Sequence, residues 1–116
     1  MDKRLNRLGA IISCVRKNIN SDMPMQQLAL LLLVAQAGDE GITMPEAAVK
    51  LSMGQTSVSK NAKMLSQFGE QVGAKVIIKG YDLIETRPDL KERRRLCMRL
   101  TPKGKEVVEI ILAEVK

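Results

Sequence analysis

Leu5, Leu8, Ile12, Val15 and Ile19 recur at alternating intervals of three and four residues, the spacing that lines one face of an α-helix. A helix over about residues 2–19 follows, with Arg4, Arg7, Arg16 and Lys17 off that seam. So narrow a stripe suits packing on the chain's own domain, and equally suits a seam shared with a second subunit. Asn20 to Met23 breaks the pattern, and Pro24 fits the first turn of a second helix over about 25–37. From Leu30 to Val34 that helix has no polar side, which places it at the centre of a core. Gly38 and Gly41 end it.

Thr43 and Glu46 then stand at capping-box spacing with Pro45 between them, the start of a short helix that reaches Leu51. Ser52-Met53-Gly54 makes a tight turn into a helix over about 55–68, with Val58, Ala62 and Leu65 as its inward face. Two short helices joined by a glycine-containing turn form a helix-turn-helix. Gly69, Gly73 and Gly80 punctuate the next stretch, where Val76-Ile77-Ile78 offers one short strand. A strand is expected from Tyr81 to Arg87, followed by a charged turn from Pro88 to Arg94. Leu96, Met98 and Leu100 then alternate with Arg95, Cys97 and Arg99, the period of a half-buried strand with the first set facing in. Thr101 and Pro102 open a last helix, about 102–116, with Val107, Val108, Ile111, Leu112 and Val115 on one side and Ile110 widening the stripe. The expected fold is one domain over 1–116, mainly α with a small β-hairpin.

Composition narrows the chemistry. The only aromatic residues are Phe68 and Tyr81, so the core must be aliphatic, with Met23, Met25, Met44, Met53, Met64 and Met98 as filler. The net charge of +6 is focused rather than spread. Glu85 to Lys105 holds eight basic and three acidic residues, and the first nineteen residues add five basic against Asp2. An anionic partner follows. There is no histidine, and Cys14 and Cys97 lie far apart, so no metal or cofactor is expected. Free thiols and a charged, signal-free start suit the cytoplasm. The longest apolar run, Leu28 to Ala35, is far below the roughly 20 residues that span a bilayer. No Gly-rich phosphate loop, paired carboxylates or nucleophile motif points to an enzyme.

The segment from Asp82 to Gly104, Asp-Leu-Ile-Glu-Thr-Arg-Pro-Asp-Leu-Lys-Glu-Arg-Arg-Arg-Leu-Cys-Met-Arg-Leu-Thr-Pro-Lys-Gly, resembles the wing signature of MarR-type regulators. In that family a Gly-Leu-Ile-x-Arg strand leads to an Asp-x-Arg tip, and Leu-Thr-x-x-Gly opens the next helix. Leu51 to Lys60 resembles the family's turn into its recognition helix, and the likeness runs in order from about residue 28 to 112. It implies a winged helix-turn-helix, a homodimer formed by the terminal helices, and binding to palindromic promoter DNA. Many members release DNA when a small, often aromatic, effector binds, and some sense oxidants through a cysteine. Three departures stand out. Glu92 occupies the place of the wing Asp, residues 70–81 read as an insertion, and the last helix is followed by less chain than in relatives.

The expected function is a sequence-specific regulator of double-stranded DNA, a repressor by resemblance, with its recognition helix in the major groove and its wing in the minor groove. Gln55, Thr56, Ser57, Ser59, Lys60 and Lys63 are the candidate groove contacts, because the start of a recognition helix meets base edges. No acidic residue occurs between Leu51 and Gly69. Gln55 suits adenine, whereas Thr and Ser read ambiguously. In the wing the candidates are Lys91, Arg93, Arg94 and Arg95. Arg94 is the choice for the minor groove, with Glu92 as its brace. The dimerisation set is Leu5, Leu8, Ile12, Val15, Ile19, Val108, Ile111, Leu112 and Val115. The competing function is a winged-helix module that works through protein contacts, as in replication initiation or anti-repression.

Overall fold

The computed structural model describes residues 1–89 and 91–115. It places α1 at Lys3–Asn18, α2 at Met25–Ala37, β1 at Ile42–Thr43, α3 at Met44–Leu51 and α4 at Gln55–Leu65. A hairpin of β2 (Phe68–Val72) and β3 (Lys75–Lys79) follows, then β4 (Ile84–Pro88), β5 (Leu96–Leu100) and α5 (Pro102–Leu112). Asp2 caps α1 by accepting the Arg4 amide. Pro24 is the residue that caps α2 rather than part of its first turn. Both Thr43 and Thr101 cap their helices through side-chain oxygens, with proline in the first turn.

Leu30, Leu31 and Val34 of α2 are fully buried, and Val58 and Leu65 of α4, Leu83, Ile84 and Met98 close around them. The all-apolar helix is therefore the middle of the molecule, as its sequence implies. Met98 belongs to this core and Met23, Met44 and Met53 pack on it, but Met25 and Met64 are exposed. One antiparallel sheet runs in the order β1-β5-β4, with Thr43 opposite Cys97 and Ile84 opposite Leu100.

Leu83 ties three elements together. Its amide donates to the Leu65 carbonyl at the end of α4 (2.7 Å), and its carbonyl accepts the Thr101 amide at the start of α5 (3.0 Å). A Cβ on Gly104 would collide with that same carbonyl, so the first turn of α5 rests directly on Leu83 backbone. The Thr101 hydroxyl accepts the Gly104 amide at 2.9 Å and donates to the Asp82 carbonyl at 2.6 Å.

The structure corrects several expectations. α4 stops at Leu65, three residues early, because the Ser66 hydroxyl turns back to the Ala62 carbonyl (2.7 Å) and Ser66 is extended. Phe68 begins a strand instead, and both arms of 68–79 are β rather than one. The strand expected from Tyr81 starts only at Ile84. Asp82 is left-handed (φ 55°), and Tyr81 and Leu83 bond to the Met64 and Leu65 carbonyls of α4. Cys97 is buried because β1 lies alongside it and Gly41 sits against its Cβ. Leu96, expected inward, lies beyond the end of β1 and is exposed.

The terminal helices need the same revision. α5 ends at Leu112, and Val115 lies in the turn that follows. Val15, Val108 and Ile111 are buried in the chain's own core and Ile19 is half-buried, so those four have little or no surface left for a second subunit. Leu5, Leu8, Ile12, Leu112 and Val115 remain exposed.

The hairpin supplies no buried residue. Excising Gly69–Ile78 and joining the cross-strand partners Phe68 and Lys79 through an Asn-Gly turn is expected to change stability by less than about 1 kcal/mol in denaturant unfolding. By contrast, Gly104→Ala must push a methyl into Leu83 backbone and should cost about 1–3 kcal/mol.

Candidate nucleic-acid interface

α4 enters from Ser52, which is left-handed (φ 52°), and from Gly54, which caps the helix without a side-chain bond. Its first amides are therefore open toward solvent, with the partial positive charge of a helix start. Val58, Ala62 and Leu65 face the core as the sequence implies. That rotation leaves Gln55, Thr56, Ser59, Lys60 and Lys63 exposed, while Ser57 is half-buried and its carbonyl accepts the Asn61 side-chain amide (2.9 Å). Lys63 lies 4.7 Å above the Phe68 ring, a cation–π contact that holds its ammonium near the hairpin base.

At the wing, Lys91, Glu92, Arg93, Arg94 and Arg95 are all exposed. The Arg95 amide donates to the Glu92 carbonyl (2.9 Å), which makes Arg93 and Arg94 the two central residues of a turn. The Asp89 amide donates to the Arg95 carbonyl at 2.8 Å and closes the loop.

The side chain that orders this turn is that of Asp89, while Glu92, expected to brace Arg94, contributes its backbone carbonyl. Asp89 accepts the Lys91 amide at 3.0 Å. That bond, with support from the Arg95 charge, the Cys97 thiol and the Glu92 amide, holds the Asp89 carboxyl below its ordinary range. A lone aspartate in a charged turn gave no signal of this role in the sequence.

Arg95 also departs from expectation. Its guanidinium pairs with the Glu46 carboxylate in the first turn of α3. The same carboxylate accepts the Thr43 hydroxyl at 3.0 Å. The three consecutive arginines thus divide between two at the tip and one turned back to the body.

Burial pushes the Cys97 thiol up and the Asp89 carboxylate adds to the shift, which disfavours the reactive thiolate. Cys14 is buried beside the Ile110 carbonyl. Among the described residues no cluster of metal-ligating side chains occurs, and no helix is long and apolar enough to cross a membrane.

The Asp89 carboxyl carbon, followed by NMR, should titrate below the ordinary value of 3.8. Because the folded pKa is depressed, the wing-ordering bonds are complete above the ordinary carboxylate range. They are lost as pH falls through the lower folded value. Asp89→Asn should erase that acid step in the Lys91 amide shift.

No protein-family model matches the sequence, and no curated protein does. Solved structures do match. CouR from Rhodococcus jostii RHA1, bound to p-coumaroyl-CoA, superposes with a TM-score of 0.66 at 16% identity over 94% of this chain. The chain spans 64% of CouR, less than two thirds of its length. A probable transcriptional regulator from Pseudomonas aeruginosa gives a TM-score of 0.63 at 17% identity, covering 95% of this chain and 71% of that one. MarR gives 0.60 at 19% identity, with coverages of 94% and 69%. The two helices around Ser52–Gly54, the β1-β5-β4 sheet with its arginine-tipped loop, and these superpositions agree: the chain has the winged helix-turn-helix fold of MarR-type transcriptional regulators.

Proposed function

We propose that the protein is a homodimeric transcriptional regulator, acting as a repressor, that binds palindromic double-stranded DNA. In this reading Gln55, Thr56, Ser57 and Ser59 at the start of α4 approach base edges in the major groove, with Lys60 and Lys63 beside them on phosphate. Arg94 enters the neighbouring minor groove, while Lys91 and Arg93 lie on the backbone. The observation that carries the reading is the pairing of an acid-free, solvent-facing α4 with a turn whose two central residues are arginines. A protein that mimics DNA would present carboxylates in those places.

The dimer reading rests on apolar surface. Leu5, Leu8 and Ile12 of α1 and Leu112 and Val115 near the end of α5 are each about half exposed or more. α1 and α5 pack against each other, so these residues lie on adjoining elements. Two-fold symmetry in the protein then matches two half-sites in DNA.

A protein-contact module is the second reading, and the hairpin favours it: Val72, Val76, Ile77 and Ile78 are all exposed there. DNA binding separates the two. A gel shift at low salt with short palindromic duplexes is expected to give a complex, and no complex with any duplex leaves only the protein-contact reading. Four phosphate contacts per subunit predict a slope of log K against log salt of about −7. Arg94→Ala should weaken specific binding by about 1–3 kcal/mol.

Light scattering at tens of micromolar should return twice the chain mass. Leu8→Glu with Ile12→Glu should return the chain mass with an unchanged helical circular dichroism signal. A wild-type monomer under those conditions would remove the homodimer.

A further inference from the structure

We propose that Arg95 is a positioning residue, whose ion pair with Glu46 sets the pitch of the wing against the helix-turn-helix and so fixes where Arg94 points. The inference deepens the DNA-binding reading and rests on it.

The ladder between β1 and β5 ends at Thr43 and Cys97. Beyond that pair the outer part of β5 has no strand beside it on that edge, and Leu96 is exposed. Arg95 is the next tie outward, and it takes over where the sheet stops. Its backbone makes both bonds that close the tip, accepting the Asp89 amide and donating to the Glu92 carbonyl. Its side chain reaches Glu46. Any shift of Arg95 therefore moves the turn that carries Arg93 and Arg94.

Glu46 is well suited to receive it. Its own amide donates to the Thr43 hydroxyl oxygen (3.2 Å), and its carboxylate accepts that hydroxyl's proton. The carboxylate is thus held at the start of α3 by the cap of that helix. α3 leads through Ser52–Gly54 into α4, so the pair links the wing to the helix-turn-helix unit. Both side chains are about half exposed. A pair of that kind shifts an orientation equilibrium by up to about fivefold, and salt weakens it.

A direct phosphate role for Arg95 predicts the opposite behaviour. Glu46 would then be an obstacle beside the DNA, and Glu46→Gln would tighten binding while leaving the cost of losing Arg94 untouched. Positioning makes the costs interdependent instead.

The test is a double-mutant cycle on DNA affinity with the full chain. Arg94→Ala is measured in the wild type and in Glu46→Gln, Arg95→Ala and Arg95→Lys backgrounds, and amide exchange of Asp89 and Arg95 is followed without DNA. In the wild type Arg94→Ala is expected to cost about fivefold or more. In Glu46→Gln and Arg95→Ala that cost should shrink by about two- to fivefold, with faster exchange of both amides, and Arg95→Lys should restore part of it. An unchanged cost in both backgrounds overturns the proposal, as does a wild-type protein that binds DNA with no cost from Arg94→Ala. A wild type that binds no DNA, with the amide effects intact, overturns the DNA reading itself.

Discussion

The backbone of Leu83 is the junction on which the arrangement depends. Its amide takes the last carbonyl of α4, its carbonyl takes the first amide of the turn into α5, and its side chain is 1% exposed. Three consecutive residues from Tyr81 to Leu83 donate to carbonyls at the end of α4. A helix end leaves such carbonyls without partners, and here the chain's own return toward the wing supplies them. One set of bonds therefore caps α4 and fixes the angle at which β4 leaves. The position of Gly104 follows, because only a residue without Cβ lets α5 seat on that carbonyl.

Charge is partitioned with similar economy. Arg4, Lys79, Arg87, Arg95 and Lys105 each lie within reach of a carboxylate. Among the described residues, no ion pair forms at the other cations, among them Lys60, Lys63, Lys91, Arg93 and Arg94 as well as the rest on α1 and α3. The cations without an acidic partner thus include those on the exposed side of α4 and at the wing tip. Surface ion pairs add little stability, so their larger consequence is to decide which positive charges stay available to an outside anion.

Much of this was legible along the chain because local rules and tertiary packing agree. Thr43 with Glu46, and Thr101 with Pro102, mark helix starts that hold in three dimensions. The all-apolar run of α2 and the spacing of Val58, Ala62 and Leu65 fix which sides face the core. The failures have physical causes too. Phe68 continued an apolar helical pattern, but the Ser66 hydroxyl competes for the helix's own carbonyl. Period-two reasoning misplaced Leu96, since the neighbouring two-residue strand stops short of it. Asp89 and the Arg95 pairing with Glu46 depend on contacts across the fold, which no local spacing reports.

The hairpin that follows α4 carries a further consequence. β3 reads Lys-Val-Ile-Ile-Lys, and it is paired on one side only. An uncapped strand with a β-branched aliphatic centre is a template for fibril-like stacking between molecules. Lys75 stands at one end as a gatekeeper that repels an identical strand from a second molecule, while the Lys79 charge at the other end is taken by Glu70. Acylation of the Lys75 amine would remove that guard and leave the strand more prone to self-templated stacking.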